Sequence, residues 1–295
     1  MKAMKDKKPI FDGVATALIT PFCDGRVDFS AFGALIDEQI KSGIDALTVC
    51  GTTGESSCLT DGEKLALFEF AVGRAKGNVP VIAGVGCSDT SRTAAMCAAA
   101  CELGCDALLI VTPYYNRPSP EGLYEHYRVC RARSDKPIIA YNVPARTGIS
   151  IPIPILARLS SEGHISAIKE ACGDLSRIAR IRHFCPSLTV YSGNDDQTLP
   201  VAALGGRGVI SVTSNILPAE LCAMYRAFRR GEVDEAEELQ RRLTPVEDAI
   251  FCEVNPIGIK YAAYTLGLCE CEYRPPLCAP SETSKQIIRD ALKGV

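Results

Sequence analysis

Residues 45–86, DALTVCGTTGESSCLTDGEKLALFEFAVGRAKGNVPVIAGVG, contain a complete strand–helix–strand pattern. Two short apolar runs, DALTVCG (45–51) and PVIAGVG (80–86), flank a longer stretch that starts at Thr60 and stops near Gly77. A threonine followed three residues later by glutamate is a capping box, and glycine commonly ends a helix. The stretch therefore predicts one βαβ unit, in which a helix connects two parallel strands.

The same alternation of apolar runs and amphipathic stretches continues along the chain. Further helix starts are indicated at Asp28 and at Ser119, which precedes Pro120, and a further stop at Gly231. The other predicted strands are 13–20, 106–113, 137–144, 165–171, 188–193 and 208–214. Eight such units predict a TIM (β/α)8 barrel, which typically needs about 250 residues. A doubly wound open sheet is the alternative, but its usual G-x-G-x-x-G fingerprint does not occur here.

The chain continues beyond the eighth unit with segments that a barrel does not need. EVDEAEELQRRLTPVEDAIF and NPIGIKYAAYTLG are helical in pattern, and a Pro-rich turn, RPPLCAP, follows them. We therefore expect a barrel over residues 1–231 and an appended helical layer over residues 232–295. The layer is expected to form an oligomer contact or to cover part of the barrel.

Composition narrows the classes of partner. The chain of 295 residues is 47% hydrophobic and 23% charged, with a formal net charge of −3, so it lacks the basic excess that nucleic-acid binding requires. The start, MKAMKDKKPIFDG, has no apolar segment after its lysines, and no run reaches the roughly 18 apolar residues that span a bilayer. We expect a cytoplasmic protein with neither a nucleic-acid nor a membrane partner.

The 15 cysteines are scattered through apolar segments, which favours buried reduced thiols over a disulfide scaffold. No C-x-x-C occurs, and Cys97, Cys101 and Cys105, which could share one helix face, fit a packing stripe better than a metal site. We expect no metal.

Lys169 is an isolated ammonium in the apolar run HISAIKEACGD. On a strand, Ala167, Lys169 and Ala171 share one face, so small residues leave room beside the lysine. It is either a surface side chain or a buried amine, whose pKa burial would lower from about 10.4. A neutral amine attacks carbonyl groups. The run therefore predicts a Schiff-base enzyme.

The active site of a TIM barrel lies at the C-terminal ends of its strands. The segments expected there are GTTGE (51–55), PYYNRP (113–118), YNVPARTG (141–148), IKEACGD (168–174) and SGNDD (192–196). Tyr141 lies on the strand next to Lys169 with the same inward parity, so its hydroxyl could relay protons, although a packed aromatic is the simpler alternative. The acidic pair Asp195 and Asp196 would repel a phosphate, so a phosphorylated substrate is not expected.

Three other polar side chains suit a carboxylate ligand. Thr52 and Thr53 lie between two glycines that allow a sharp turn and close backbone approach. Arg146 has a planar guanidinium that can bind a carboxylate through two bonds, although a loop arginine is more often solvated.

From about residue 10 to 290, the segments GTTGE, VTPYYNRPS, YNVPARTG and IKEACGD resemble the dihydrodipicolinate synthase and N-acetylneuraminate lyase family of class I pyruvate aldolases. The resemblance implies that Lys169 forms a Schiff base with pyruvate and that no other cofactor is needed. It implies a hydroxyl relay of Thr53, Tyr141 and Tyr115, in which Tyr115 comes from a neighbouring subunit. The protein is therefore expected to form at least a dimer, and a homotetramer is the favoured assembly. Thr52 matches the position for the pyruvate carboxylate.

Within that family, Gly193 and Ile210 match backbone positions of the pocket. Arg146 looks like the arginine that binds the carboxylate of L-aspartate-4-semialdehyde in the synthases, and Tyr114 with Tyr115 also favours that branch. The implied reaction condenses pyruvate with the semialdehyde in the diaminopimelate and lysine pathway. Lyases of 2-keto-3-deoxy sugar acids or N-acetylneuraminate, and a non-catalytic barrel that binds keto acids, are the alternatives.

Some synthases of the family bind lysine as an inhibitor in a cleft between subunits. The positions that align with it here are Ser56, Ser57, Asp61, Lys64, Ser88, Arg92 and Tyr114. Lys64 and Arg92 would repel a cationic ligand. The sequence therefore predicts weak or absent inhibition by lysine.

Overall fold

A computed structural model describes residues 9–294, in which eight parallel strands close into a barrel. The barrel strands are β1 (Gly13–Ala17), β4 (Ala46–Val49), β5 (Val81–Gly84), β6 (Ala107–Val111), β7 (Ile138–Asn142), β8 (Ala167–Glu170), β9 (Thr189–Ser192) and β10 (Gly208–Ser211). The barrel closes because β1 pairs in parallel with both β10 and β4. A short antiparallel hairpin, β2 (Phe22–Cys23) and β3 (Arg26–Val27), follows β1. The predicted TIM barrel is confirmed, while the lysine-rich start (1–8) lies outside the described residues.

The helices of this part of the chain are α1 (Phe29–Lys41), α2 (Asp61–Ala75), α3 (Thr90–Glu102), α4 (Pro120–Arg131), α5 (Pro144–Thr147), α6 (Ile153–Ser161), α7 (Leu175–Phe184), α8 (Thr198–Ala203), α9 (Pro218–Arg230), α10 (Val233–Ile250), α11 (Ile257–Thr265) and α12 (Glu282–Leu292). The predicted caps occur: Asp28 and Ser119 accept backbone N–H groups, and Thr60 forms a capping box. Gly231 ends α9 with φ of +84°. Local signals thus determine where these helices start and stop.

Several strands are shorter than the apolar runs that predicted them. The run 45–51, for example, leaves the sheet after Val49, because Cys50 has a positive φ of 55° and turns the chain away. A short 3₁₀ helix, Ser56–Cys58, follows. The residues after each strand therefore form the loops at the barrel mouth, the end at which the strand C-termini lie.

Alternation along the strands divides the core into two layers. Ala167 and Tyr141 belong to the cluster inside the barrel, whereas Ile168 belongs to the cluster between the barrel and its helices. Tyr141 and Lys169 are direct register partners on β7 and β8. The two side chains therefore enter the barrel side by side, as the sequence predicted.

The C-terminal helices pack on the barrel. α10 contacts α9, and α12 contacts both α10 and α11. Buried residues of these helices, such as Ile250 and Ile259, join the hydrophobic layer that surrounds the barrel. A boundary at residue 231 stays a prediction, because this layer is continuous across it. None of the helices within residues 9–294 is both long enough and apolar enough to cross a membrane.

Candidate active site

Lys169 projects from β8 into the barrel mouth and is 5% exposed. Burial lowers the pKa of its amine to about 8; the carboxylate of Asp195 opposes this effect, and Arg146 adds to it. The amine has no hydrogen-bond or salt-bridge partner among residues 9–294. Its electron pair is therefore available to a carbonyl carbon at near-neutral pH.

Gly193 leaves the space that the lysine occupies. A Cβ atom at this position would lie 3.1 Å from Cε of Lys169 and 2.6 Å from Cβ of Ala171. The backbone N–H of Gly193 donates to the carbonyl of Glu170 at 2.8 Å, which fixes the close approach of the two loops. Any larger residue at 193 would push against the amine.

Tyr141 is the register partner of Lys169 on the neighbouring strand, so its side chain lies beside the lysine. The Lys169 nitrogen lies 4.6 Å from the centroid of its ring. Burial raises the pKa of the Tyr141 phenol, whereas Arg146 and a hydrogen bond with Thr52 lower it. The phenol therefore stays protonated at neutral pH and can donate a proton or pass one on.

The two threonines of GTTGE have different neighbours. Thr52 lines the cavity together with Tyr141 and lowers the pKa of its phenol. The hydroxyl of Thr53, in contrast, is buried and accepts from Nδ2 of Asn255 at 3.0 Å. Thr52 lines the same cavity as Tyr141, whereas Thr53 contacts Asn255, and the relay role predicted for Thr53 stays a prediction.

Arg146 lies on the one-turn helix α5 and extends to the mouth. Its Nη2 donates to the carbonyl of Asn255 at 2.9 Å. Asn255 thus contacts both Thr53 and Arg146, although the sequence analysis gave it no role at the site. No local pattern around Asn255 points to these contacts, since they join residues 202 and 109 positions apart.

A cavity of about 230 Å³ opens beside these side chains. Its wall includes Thr52, Tyr141 and Arg146, and also Lys64. Lys169 is not among the lining residues, but its nitrogen lies 4.6 Å from the ring centroid of Tyr141, which is one of them. The cavity-lining residues include two cations and no carboxylate, an arrangement that favours anionic ligands.

Two other predicted site residues, Ile210 and Tyr115, do not line this cavity within a single chain. Ile210 lies in the barrel interior and is fully buried. Tyr115 is 93% exposed, with φ of +71°, and does not reach the site within its own chain.

Part of the predicted lysine cleft lines the same cavity. Ser56, Ser57, Lys64 and Tyr114 line it, whereas Asp61, Ser88 and Arg92 do not. Arg92 instead forms a two-bond ion pair with Asp61, at 2.8 and 3.0 Å. Lys64 is 8% exposed and has no salt-bridge partner in the described part of the chain.

A buried polar network behind β8, absent from the sequence analysis, fixes the strand end that carries the lysine. Asn142 donates to Glu170 at 2.6 Å, and Arg177 donates to the other Glu170 oxygen at 2.8 Å. Arg177 also donates to the carbonyl of Ile151. Because Glu170 faces away from the barrel, the residue just before it on the strand, Lys169, must face into it.

Asp195 caps a neighbouring loop instead of facing open solvent. One of its oxygens accepts from the backbone N–H groups of Val212 and Thr213, at 3.0 and 3.1 Å, and from the Thr213 hydroxyl. These bonds hold the Asp195 carboxyl group in place, and its charge acts on the pKa of Lys169 against the effect of burial. Within residues 9–294, no three His, Cys, Asp or Glu side chains are grouped so that they could bind a metal ion.

A closed barrel with a buried, unpaired lysine beside a buried tyrosine at its mouth defines an enzyme of the Schiff-base aldolase class. Comparison with known proteins identifies the family. Residues 10–295 match the model of the dihydrodipicolinate synthetase family, and the chain belongs to this family. Enzymes of the family need no metal or cofactor.

Curated relatives and solved structures agree with this assignment. The 4-hydroxy-tetrahydrodipicolinate synthase of Caldicellulosiruptor saccharolyticus is 45% identical over 96% of this chain and 97% of its own. The crystal structure of dihydrodipicolinate synthase from Aquifex aeolicus is 43% identical, with a TM-score of 0.94 and coverage of 96% of this chain and 97% of that one. The enzyme of Cyanidioschyzon merolae with lysine bound is 36% identical, with a TM-score of 0.94 and coverage of 97% and 99%. The family and the synthase function predicted from the sequence are confirmed.

Proposed function

We propose that the protein condenses pyruvate with L-aspartate-4-semialdehyde through an imine on Lys169. The amine attacks C2 of pyruvate, and water leaves as the imine forms. Loss of a proton from C3 gives an enamine, whose C3 attacks the aldehyde carbon while the aldehyde oxygen takes up a proton. The amino group of the semialdehyde then attacks C2 and displaces Lys169, which closes the ring. The observation that carries the proposal is the buried Lys169 amine, which forms no salt bridge with a carboxylate within residues 9–294.

The roles of the surrounding side chains are part of the same proposal. Tyr141, which lines the cavity beside Thr52, transfers the protons of imine formation and carbon–carbon bond formation. Thr52 and Thr53 bind the pyruvate carboxylate, and Arg146 binds the carboxylate of the semialdehyde. Arg146 is supported by its place in the cavity wall and by the bond that orients it to Asn255.

Borohydride reduction in the presence of pyruvate, followed by peptide mass mapping, tests the imine. We expect the mass of a reduced pyruvyl group on the peptide that contains Lys169, and none in Lys169→Arg. Label on another peptide, or full turnover by Lys169→Arg, would contradict the proposal. Preferential turnover of long sugar acids over the semialdehyde would assign the site to the lyase branch instead.

We infer that a second copy of the chain completes the site by supplying Tyr115. The support is that Tyr115 is 93% exposed in its own chain although it belongs to the family-like segment VTPYYNRPS. Lys169→Arg and Tyr115→Phe should each be nearly inactive alone, and unfolding and refolding them together should restore activity. In a mixed dimer, the Lys169→Arg copy supplies Tyr115 to the intact lysine of the other copy. No recovery after mixing would remove the shared site.

A tetramer and a cytoplasmic location remain predictions from the sequence. Light scattering coupled to gel filtration measures the first, and fractionation of cells that produce the protein measures the second.

We also propose that lysine inhibits the protein weakly or not at all. Lys64 places a positive charge in the cavity wall, and Asp61, the acidic residue among the predicted cleft positions, already binds Arg92. A cationic ligand would enter against this charge. Steady-state rates with lysine up to several millimolar should therefore change little. Strong inhibition below one millimolar would contradict the proposal, and Lys64→Glu should increase any inhibition.

A further inference from the structure

The segment GTTGE is connected to the far end of the chain by a buried ion pair. Nζ of Lys260, on α11, donates to Oε1 of Glu55 at 2.5 Å, and both side chains are completely buried. The Phe22 ring lies 4.0 Å from the same nitrogen, measured to its centroid. Burial lowers the pKa of Lys260, while Glu55 opposes that effect.

Glu55 also fixes the local backbone of the segment that carries the two threonines. Its φ of +54° is unusual for a residue other than glycine, so surrounding contacts must maintain it. Its second carboxylate oxygen accepts from the backbone N–H of Arg274 at 3.0 Å. The Arg274 guanidinium in turn donates to Glu63, on α2, at 2.8 Å. Glu55 is therefore held from two positions of the C-terminal segment, residues 255–274.

Asn255 belongs to the same segment and donates to Thr53, two residues before Glu55. The C-terminal segment consequently contacts the threonine loop at Thr53 through a side chain and at Glu55 through an ion pair. The loop itself contributes no salt bridge to the rest of the barrel among residues 9–294. Besides the hydrogen bond from the Thr20 hydroxyl to the Gly54 carbonyl at 2.7 Å, the loop is thus held by groups about 200 residues away in the chain.

We propose that Lys260 is a positioning residue for the substrate site: by binding Glu55 it maintains the turn that directs Thr52 toward Tyr141 and Thr53 toward Asn255. This gives the C-terminal helices a role in binding pyruvate, in addition to packing. A buried ion pair that only stabilised the fold could be replaced by uncharged residues without loss of function, because such replacements are often neutral for stability. A pair that positions the loop cannot be replaced in this way.

The inference rests on the proposed pyruvate site, and three variants separate it from a purely structural role. Lys260→Met leaves the Glu55 carboxylate buried and unpaired, so its melting temperature should fall. Lys260→Met combined with Glu55→Gln removes that lone charge, so its melting temperature should recover. Leu159→Ala, in a fully buried position on α6 and far along the chain from the loop, is the matched control for lost stability.

The measurements are the melting temperature, KM for pyruvate, kcat, and the rate of borohydride trapping with pyruvate. We expect KM for pyruvate to rise at least tenfold in both Lys260 variants, with a smaller change in kcat, and to stay within twofold of wild type in Leu159→Ala. A double variant with wild-type stability and wild-type KM would overturn the proposal. A double variant that cannot fold would overturn it too, since the pair would then be a folding requirement. If the wild type itself is not trapped at Lys169, the proposed function fails, independently of Lys260.

Discussion

Asp195 and Arg146 act on the Lys169 amine in opposite directions, which makes the pH dependence of imine formation a test of the site. The pKa of Lys169 is lowered from 10.5 to about 8, mainly by burial. At pH 7 about one amine in ten is then neutral, compared with about one in 3000 for an exposed lysine. This difference of roughly 300-fold corresponds to about 3 kcal/mol. Burial thus supplies a large part of the reactivity of the lysine.

The assay is the initial rate of borohydride trapping with pyruvate alone, measured from pH 6 to pH 10. For the wild type, the rate should rise with pH and level off above a midpoint near pH 8. Asp195→Asn removes the charge that favours the ammonium form, so the midpoint should move to lower pH. Arg146→Met removes a repelling cation, so the midpoint should move to higher pH.

The two opposite shifts control for structural disruption of the site, because disruption would move both pH midpoints in the same direction. Asparagine at 195 retains an oxygen that can accept from Val212 and Thr213, so the loop that Asp195 caps should persist. A wild-type midpoint near 10.5 would refute the claim that burial activates the amine. Equal midpoints in both variants would refute the assigned electrostatic causes.

Four further variants test single parts of the site. Gly193→Ala should slow trapping about tenfold or more, measured with pyruvate at pH 8, because a methyl group placed 3.1 Å from the Lys169 Cε crowds the amine. Tyr141→Phe should lower kcat about a hundredfold or more while the pyruvyl label on Lys169 still forms on long incubation, and wild-type turnover would exclude the relay. Arg146→Lys should raise KM for the semialdehyde about tenfold and leave KM for pyruvate nearly unchanged, since a lysine cannot reproduce the two-bond geometry. Lys169→Met should abolish turnover. It should also raise the free energy of unfolding by about 1–3 kcal/mol, measured by urea titration at pH 7, because it removes an amine that is costly to bury. A variant less stable than the wild type would contradict this.

The parts of the site that lie on strands could be predicted from the sequence. Alternation places Ala167 and Lys169 on one face, and neighbouring strands of a parallel barrel bring Tyr141 beside the lysine. Both inferences depend only on local periodicity and on the order of strands. The caps at Asp28 and Thr60 are local for the same reason.

The parts that depend on loops and on docking of the C-terminal segment could not be predicted. Strand parity does not apply in the turn after Val49, where Cys50 takes a positive φ, so it does not determine which of Thr52 and Thr53 faces Tyr141. Asn255 and Arg274 contact the threonine loop across 202 and 219 residues, and a single sequence does not contain that information. The C-terminal helices were expected to cover part of the barrel, but not to bond with the loop that contains the threonines.

Lys169 and Lys260 show why an isolated lysine in an apolar run does not by itself identify a nucleophile. Both lie in such runs, SAIKEA and IGIKYAA, and burial lowers the pKa of both. Lys260, however, has a carboxylate at 2.5 Å, which favours its ammonium form and engages a proton of the amine. Asp195 acts on the pKa of Lys169 through its charge, and no hydrogen bond or salt bridge joins the two side chains within residues 9–294. The absence of a bonded carboxylate within the described residues, rather than burial alone, therefore distinguishes the lysine that can attack a carbonyl from the lysine that positions a loop.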